Sequence, residues 1–247
     1  MAGFAHLHVH TQYSILDGAS SIPHLIEKVK SLGMEAIAIT DHGNMFGVKE
    51  FHNIASKKGI KPIIGCEIYV AKRSISDVTV KEDRSGDHLI LLAKNLTGYK
   101  NLIKLVSIAW IKGFYYKPRI DKELLEKYKE GIIASSACLA GEIQDEILNG
   151  TMAGAEAALK SYTDIFGEDF YLEVMRHETN DPEADRTAFP LQQKVIEVLK
   201  KLSQKNNVKL IATNDVHFIN EEDAEAHDRL ICINTAKDID DPNRLRY

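Results

Sequence analysis

Near the start of the chain, the stretch HLHVHTQYSILDG (6–18) sets three histidines, His6, His8 and His10, at alternate positions and follows them with a lone acid, Asp17. Clustered imidazoles are costly unless something binds the cluster. In an extended strand, a period of two turns all three toward one side, with no choice among them. The same residue types recur downstream. Asp41 and His42 follow EAIAIT, Glu67 lies within PIIGCEIYV, and His88 opens HLILLA. Cys138 follows GIIASS, and Asp215 and His217 sit in ATNDVHF. Imidazoles, carboxylates and a thiol suit borderline-soft divalent metals, zinc above all, with manganese or iron as alternatives. Carboxylates can bridge two ions, and paired ions clamp the attacking and leaving oxygens of a phosphoryl displacement.

Taken singly, each of these histidines is more often an ordinary core or surface residue than a ligand. HxH, DH and DxH at three separate strand ends make coincidence a poor explanation. His24, His52 and His227 fall in predicted helices and read as structural, and His177 has no spaced partner. Cys66, next to Glu67, points to the opposite face, and Cys66 and Cys232 read as core cysteines. There is no GxSxG, Walker loop or GxGxxG, so no separate nucleophile or nucleotide cradle is expected.

The elements that must position these groups alternate between short apolar runs and longer amphipathic ones. Strands are predicted over 4–9, 35–40, 62–70, 88–93, 131–136, 170–175 and 208–213. Helices are predicted over about 23–32, 48–58, 98–109, 189–204 and 221–235, with two more between 140 and 166. Ser21 can cap the first helix, Pro23 suits its first turn and Gly33 ends it. The acid-rich stretch 74–87 reads as a surface loop or hairpin. Seven nearly all-apolar strands alternating with helices predict a parallel sheet covered by helices, closing into an α/β barrel. In such barrels the chemistry sits at the C-terminal ends of the strands.

The bulk properties fit one large α/β domain: 247 residues, 44% hydrophobic and 27% charged. No apolar run approaches the ~20 residues that span a bilayer. The N-terminus carries no secretory pattern, and three widely spaced cysteines fit a reducing cytoplasm better than a disulfide framework. The net charge of −5 gives no general reason to bind nucleic acid. A local exception runs from Lys94 to Arg119, with six basic residues and no acid. Leu102, Leu105, Val106 and Ala109 mark most of it as an ordinary amphipathic helix. Within GFYYKPR (113–119), Tyr115, Tyr116, Lys117 and Arg119 are candidate DNA contacts, rings for bases and cations for phosphates.

HLHVHTQYSILDG, ITDHGNMFG, GCEIYVA, SACLAGEI and ATNDVHF together resemble the PHP (polymerase and histidinol phosphatase) superfamily. LLAKNLTGYKNLIKLVSIAW and NDVHFINEEDAEAHDRLICINT narrow the resemblance to the N-terminal PHP domains of bacterial replicative DNA polymerase III α subunits. It covers essentially the whole chain and implies a distorted seven-stranded α/β barrel with a trinuclear metal site. Residues 1–247 would be a single PHP domain, the N-terminal part of a longer polymerase with palm, thumb and fingers to follow. The family's nine ligands match His8, His10, Asp17, His42, Glu67, His88, Cys138, Asp215 and His217. That match makes His6 and Asp41 orienting residues behind the ligands. Many family members carry another ligand type at the positions of Asp17 and Cys138, and both types bind metal. The implied activity is phosphoester hydrolysis by two or three divalent ions, here 3′–5′ exonuclease proofreading of a DNA primer end. Glu67 would bridge ions, with Asp17 and His10 catalytic beside it. The implied partners are DNA, the remaining polymerase domains, a proofreading exonuclease subunit and a sliding clamp. The alternatives are a stand-alone small-molecule phosphatase, such as a histidinol-phosphate phosphatase, and a catalytically silent, metal-stabilised scaffold.

Overall fold

The computed structural model describes residues 3–179, 186–241 and 244 of the 247. Part of the tail 238–247 therefore lies outside the described residues. The strands are β1 (Ala36–Ile39), β2 (Lys61–Val70), β3 (Asp87–Ala93), β4 (Phe114–Tyr115), β5 (Lys117–Ile120), β6 (Ile132–Ser135), β7 (Phe170–Val174) and β8 (Leu210–Ala212). The helices are α1 (Ile22–Ser31), α2 (Val48–Lys57), α3 (Leu96–Ile111), α4 (Lys122–Tyr128), α5 (Glu142–Leu148), α6 (Met152–Phe166), α7 (Ala188–Asn206) and α8 (Ala224–Thr235).

One curled sheet runs β4-β5-β2-β3-β6-β7-β8, with β1 paired to β2. Strand β2 is long enough to serve two neighbours. Its first half pairs parallel with β1 and its second half antiparallel with β3. The expected strand at 4–9 is replaced by an irregular segment that still joins the two sides of the sheet. The amides of Ala38 and Thr40 donate to the carbonyls of His6 and Val9, and His10 N and Val216 O pair at 2.7 Å. The segment bends at His8, so Leu7 and His8 both face inward while His6 and Val9 face α1. Period-two alternation thus fails at one residue.

The sheet is not all parallel. Strand β3 runs antiparallel to both β2 and β6. This reversal brings His88, at the beginning of β3, to the rim that holds the ends of the other strands. The connection that makes it, residues 71–86, is the expected loop, with a short 3-10 turn at Lys81–Arg84. The β4-β5 hairpin and α4 were not expected, being too short to show a period.

Both faces of the strands are covered, which explains their unbroken apolar runs. Outside, Cys66, Ile68, Leu89 and Leu91 pack under α3 to α7, and Ile37 and Ile39 under α1 and α2. Inside, Ala38, Ile90, Leu92 and Ala137 fill the curl below the polar rim. Local signals set the helix ends. Asn95, Asp121 and Thr151 accept backbone N–H bonds at the starts of α3, α4 and α6. Ser21 precedes α1 as expected, but its hydroxyl pairs with Nδ1 of His24 at 3.0 Å instead of capping. Pro23 lies in the first turn, and Gly33 follows the helix at φ +70°.

Candidate metal centre

Nine side chains expected to converge do so at one rim. His8 and His10 come from the bent N-terminal segment, Asp17 from the loop after it and His42 from the turn after β1. Glu67 comes from β2, His88 from β3, Cys138 from the turn after β6, and Asp215 and His217 from the segment after β8. Three overlapping groups each place one potential ligand atom per residue within 4.8 Å of the others: His10, His42 and His217; His8, His10 and Glu67; His42, Glu67 and His88. Asp17 lies 2.6 Å from His42 and 3.5 Å from His217. Asp215 lies 3.0 Å from His8 and 3.2 Å from His10. The Cys138 sulfur is 3.7 Å from Nδ1 of His88.

The backbone is bent to present these groups. Leu16, Ala137 and Asp215 adopt positive φ of 63°, 59° and 48°. Two of them immediately precede a candidate ligand and the third is one, so unfavourable backbone geometry clusters at this rim. Gly18 has a different reason. A Cβ there would lie 2.0 Å from the Thr11 carbonyl oxygen, so only glycine lets the 12–18 loop fold back and aim Asp17 inward.

Three imidazoles have one ring nitrogen committed away from the centre. Nδ1 of His8 donates to Glu173 at 2.8 Å. Nδ1 of His10 donates to the Ser14 hydroxyl at 2.9 Å, which itself donates to Asp41 at 2.8 Å. Nδ1 of His217 donates to the backbone carbonyl of Asp215 at 2.9 Å. The Nε2 atoms are thereby left for the centre, and those of His8 and His10 face each other at 3.1 Å. Such hydrogen bonding at the outer nitrogen is the usual support of a metal-binding imidazole.

Around them, Oε2 of Glu67 and Oδ1 of Asp215 are buried and face only imidazole nitrogens, Nδ1 of His42 at 2.5 Å and Nε2 of His8 at 3.0 Å. Buried carboxylate oxygens surrounded by imidazole nitrogens, with no other donor in reach, are what cations would satisfy, so this donor set fits divalent metals.

The electrostatics agree. Burial works against charge on His8, but Asp215 and Glu173 outweigh it and hold its pKa well above the usual imidazole value. His42, likewise buried, is raised to about 10 by Glu67 and Asp17. His10 is lowered to about 3 by burial and by the neighbouring His42 and His217. Burial would raise Glu67 and Asp215, but adjacent histidines hold both well below the carboxylate range. Burial, then Asp215 and Glu67, push the Cys138 thiol up. Without metal, protons on histidine balance the carboxylates, so protons and cations compete for the same atoms.

The expected supporting residues divide. Asp41 is buried and accepts from Thr11 N, Thr11 Oγ1 and Ser14 Oγ, reaching His10 through Ser14. His6 does not support the centre. The bend at His8 turns it to the far side, where its ring stands edge-on to Phe4 at 4.9 Å and lines a cavity with Leu25 and Met34. Glu173, unforeseen, takes that supporting role, held by Ser135 and Thr213. A lone acid in the middle of FYLEVM was the available signal. His227, read as structural, is a buried α8 residue whose Nε2 donates to the Asp17 carbonyl at 2.8 Å. His177 bonds Asn214 O and Gln192, away from the centre. His24 and His52 stay on exposed helix faces and Cys66 and Cys232 in the core.

A cleft of about 480 Å³ opens onto Asp17, His42 and His88, and its outer wall includes Tyr116 and Lys117. Tyr115 packs edge-on against Tyr116. Arg119 corrects the sequence expectation, because it is 1% exposed. Its guanidinium donates to the carbonyls of Gly113, Asp77, Asp83 and Ile75, tying the 71–86 loop to the hairpin. It is a structural cation with no surface to offer DNA.

Comparison with known proteins accords with this geometry. A model of the PHP domain matches residues 6–177. DNA polymerase III subunit alpha of Treponema pallidum is 47% identical over 246 residues, covering 99% of this chain and 20% of that protein. The subunit of Borreliella burgdorferi is 49% identical over 246 residues, with 98% and 20% covered. The chain thus spans about a fifth of the length of the curated relatives it matches. Among solved structures, a putative metal-dependent phosphoesterase from Bifidobacterium adolescentis shares the fold, with a TM-score of 0.51, 18% identity and 88% of each chain covered. Among the described residues, no helix is long and apolar enough to cross a membrane. The rim of imidazoles and carboxylates on a curled α/β sheet, the matched family model and the polymerase relatives agree: this chain belongs to the PHP domain family.

Proposed function

We propose that His8, His10, Asp17, His42, Glu67, His88, Cys138, Asp215 and His217 hold two or three divalent metals, zinc first, and that the centre hydrolyses the phosphodiester at the 3′ end of a DNA strand. The observation that carries the reading is the outward commitment of Nδ1 in His8, His10 and His217, which leaves their Nε2 atoms to converge on buried carboxylates. Bound ions would supply an activated water at neutral pH and neutralise charge on the phosphoryl oxygens.

The chain's own residues do the rest. Glu67 is within reach of four histidines, His8, His10, His42 and His88, and so would share in holding more than one ion. Asp17 and His42 stand where the cleft meets the centre, where a strand end entering the cleft would present its scissile bond. Glu173 and the Ser14–Asp41 pair hold His8 and His10 in the metal-binding tautomer. Tyr116 and Lys117 on the outer wall approach the strand, with Tyr115 behind them.

Similarity to polymerase subunits along nearly the whole chain favours DNA over a small phosphate ester, and 3′–5′ proofreading as the setting. The reading takes residues 1–247 as a single PHP domain of a replicative polymerase. The remaining polymerase domains, a proofreading exonuclease subunit and a sliding clamp are its proposed partners and the cytoplasm its compartment. The test is hydrolysis by the metal-reconstituted chain of an end-labelled DNA strand and, in parallel, of p-nitrophenyl phosphate. Stepwise loss of 3′ nucleotides at a far higher rate than p-nitrophenyl phosphate turnover is expected. The reverse preference would make the site a small-molecule phosphatase.

A further inference from the structure

We propose that a shelf of exposed rings beside the centre stacks the bases of an unpaired DNA end, so that the site selects single strands over paired ones. The inference rests on the reading of the centre as a phosphodiesterase acting on DNA. Phe46, Trp110 and Phe114 are 59%, 43% and 52% exposed. They nevertheless form a continuous row. Trp110 and Phe114 stack with centroids 5.4 Å apart and planes at 19°, and Phe46 lies 6.2 Å beyond Trp110. The row is anchored, because Nε1 of Trp110 donates to the Gly43 carbonyl at 2.8 Å, directly after His42. The Phe46 amide is held by the Asn44 side chain at 3.1 Å.

Contiguous exposed rings mark an interaction surface. What they meet is argued from their neighbours. All three line the cleft whose inner wall is Asp17, His42 and His88. One cation lines the same cleft and a second stands behind its wall: Lys117 Nζ lies 5.4 Å from the Tyr69 ring, and Tyr69 packs on His88. Arg84 covers Tyr116 at 4.9 Å. Rings that accept base faces, beside cations that neutralise phosphates and metals that cut, are the parts of a single-strand site. A covering polypeptide would bury the rings but leave the adjacent cations without a role. Stacking on the shelf needs a free base face, which an interior base pair lacks and an unpaired end has.

Trp110 is the chain's one tryptophan, so its fluorescence reports on the shelf. The experiment titrates the protein, in chelator so that nothing is cut, with a single-stranded thymidine oligonucleotide and with a blunt duplex of equal length. Stopped-flow measurement on metal-loaded protein, before cutting, replaces the chelator if circular dichroism shows that chelation loosens the fold. Saturable quenching is expected with the single strand, at an affinity about tenfold or more above that for the duplex. Phe114→Ser, which touches no candidate ligand, is expected to weaken it about tenfold with the dichroism unchanged. Unchanged tryptophan emission overturns the proposal, whether or not a labelled strand binds elsewhere, as does equal quenching by the duplex. Neither result depends on hydrolysis, so a chain that cuts DNA without quenching loses only the shelf, and one that quenches without cutting loses only the phosphodiesterase reading.

Discussion

Oε1 of Glu173 lies 2.8 Å from Nδ1 of His8, on the side of the ring away from the metal centre, and Ser135 and Thr213 hold the same carboxylate. A carboxylate in that position fixes the tautomer and raises the basicity of Nε2. Glu173→Gln is therefore expected to lower metal affinity about 10- to 100-fold while leaving the fold intact. Competition with a chromophoric chelator measures the first and circular dichroism the second. Unchanged affinity would remove Glu173 from the account.

Arg119 and Lys117 are two residues apart, yet opposite outcomes are expected of them. Arg119→Met takes the donor from the carbonyls of Asp77, Asp83 and Ile75, leaves Gly113 only the Arg119 backbone amide, and is expected to cost on the order of 3 kcal/mol of stability in chemical denaturation. Lys117→Glu, on the cleft wall, leaves stability nearly unchanged but weakens DNA binding and flattens its salt dependence. A stable Arg119→Met protein with a reduced salt slope would reverse the assignment.

The pH dependence of the metal-free protein has a definite sign. His8, His42 and His217 all have folded-state pKa values raised above the ordinary value of ~6.5. Their contribution is complete below that value and is lost as pH rises through the folded values, about 10 for His42. The raised Cys138 thiol acts in the same direction once the unfolded thiol ionises, and the low pKa of His10 opposes only below pH ~6.5. The melting temperature of chelated protein is expected to fall between about pH 7 and pH 10. Metal-loaded protein is expected to lack that fall, because ions stand in place of the protons. Parallel thermal melts across this range check it, and a flat profile for the chelated form contradicts it.

Metal uptake is correspondingly expected to release protons. In weakly buffered solution at pH 7, adding zinc to chelated protein should acidify the medium, since protonated His8 and His42 must give up their protons. Calorimetric titration in two buffers of different ionisation enthalpy counts them. Uptake with no buffer dependence would mean that the ions bind elsewhere.

Much of this centre was legible because ligands cluster in short motifs. HxH and DxH each carry two of the converging groups, and DH carries one together with the supporting Asp41. The supporting residues were less visible. Glu173 sits in an apolar strand that reads as core, and Ser14 in a loop whose shape depends on Gly18 avoiding Thr11. Strand alternation sets His6 on the face of His8 and His10, and the resemblance makes it a support there, but the bend at His8 turns it to the far side. The direction of β3 was hidden too, although His88 at the start of a strand is inconsistent with an all-parallel rim. Arg119 could not be told from Lys117 by type, since burial depends on where the 71–86 loop returns.

The most direct measurement is release of nucleotides from a 3′-labelled DNA strand by protein of verified metal content, beside the Asp17→Asn and His10→Ala variants. The account predicts metal-dependent shortening from the 3′ end, reduced at least about 100-fold in both variants. An intact strand at full metal occupancy would contradict it and leave a centre that only stabilises the fold.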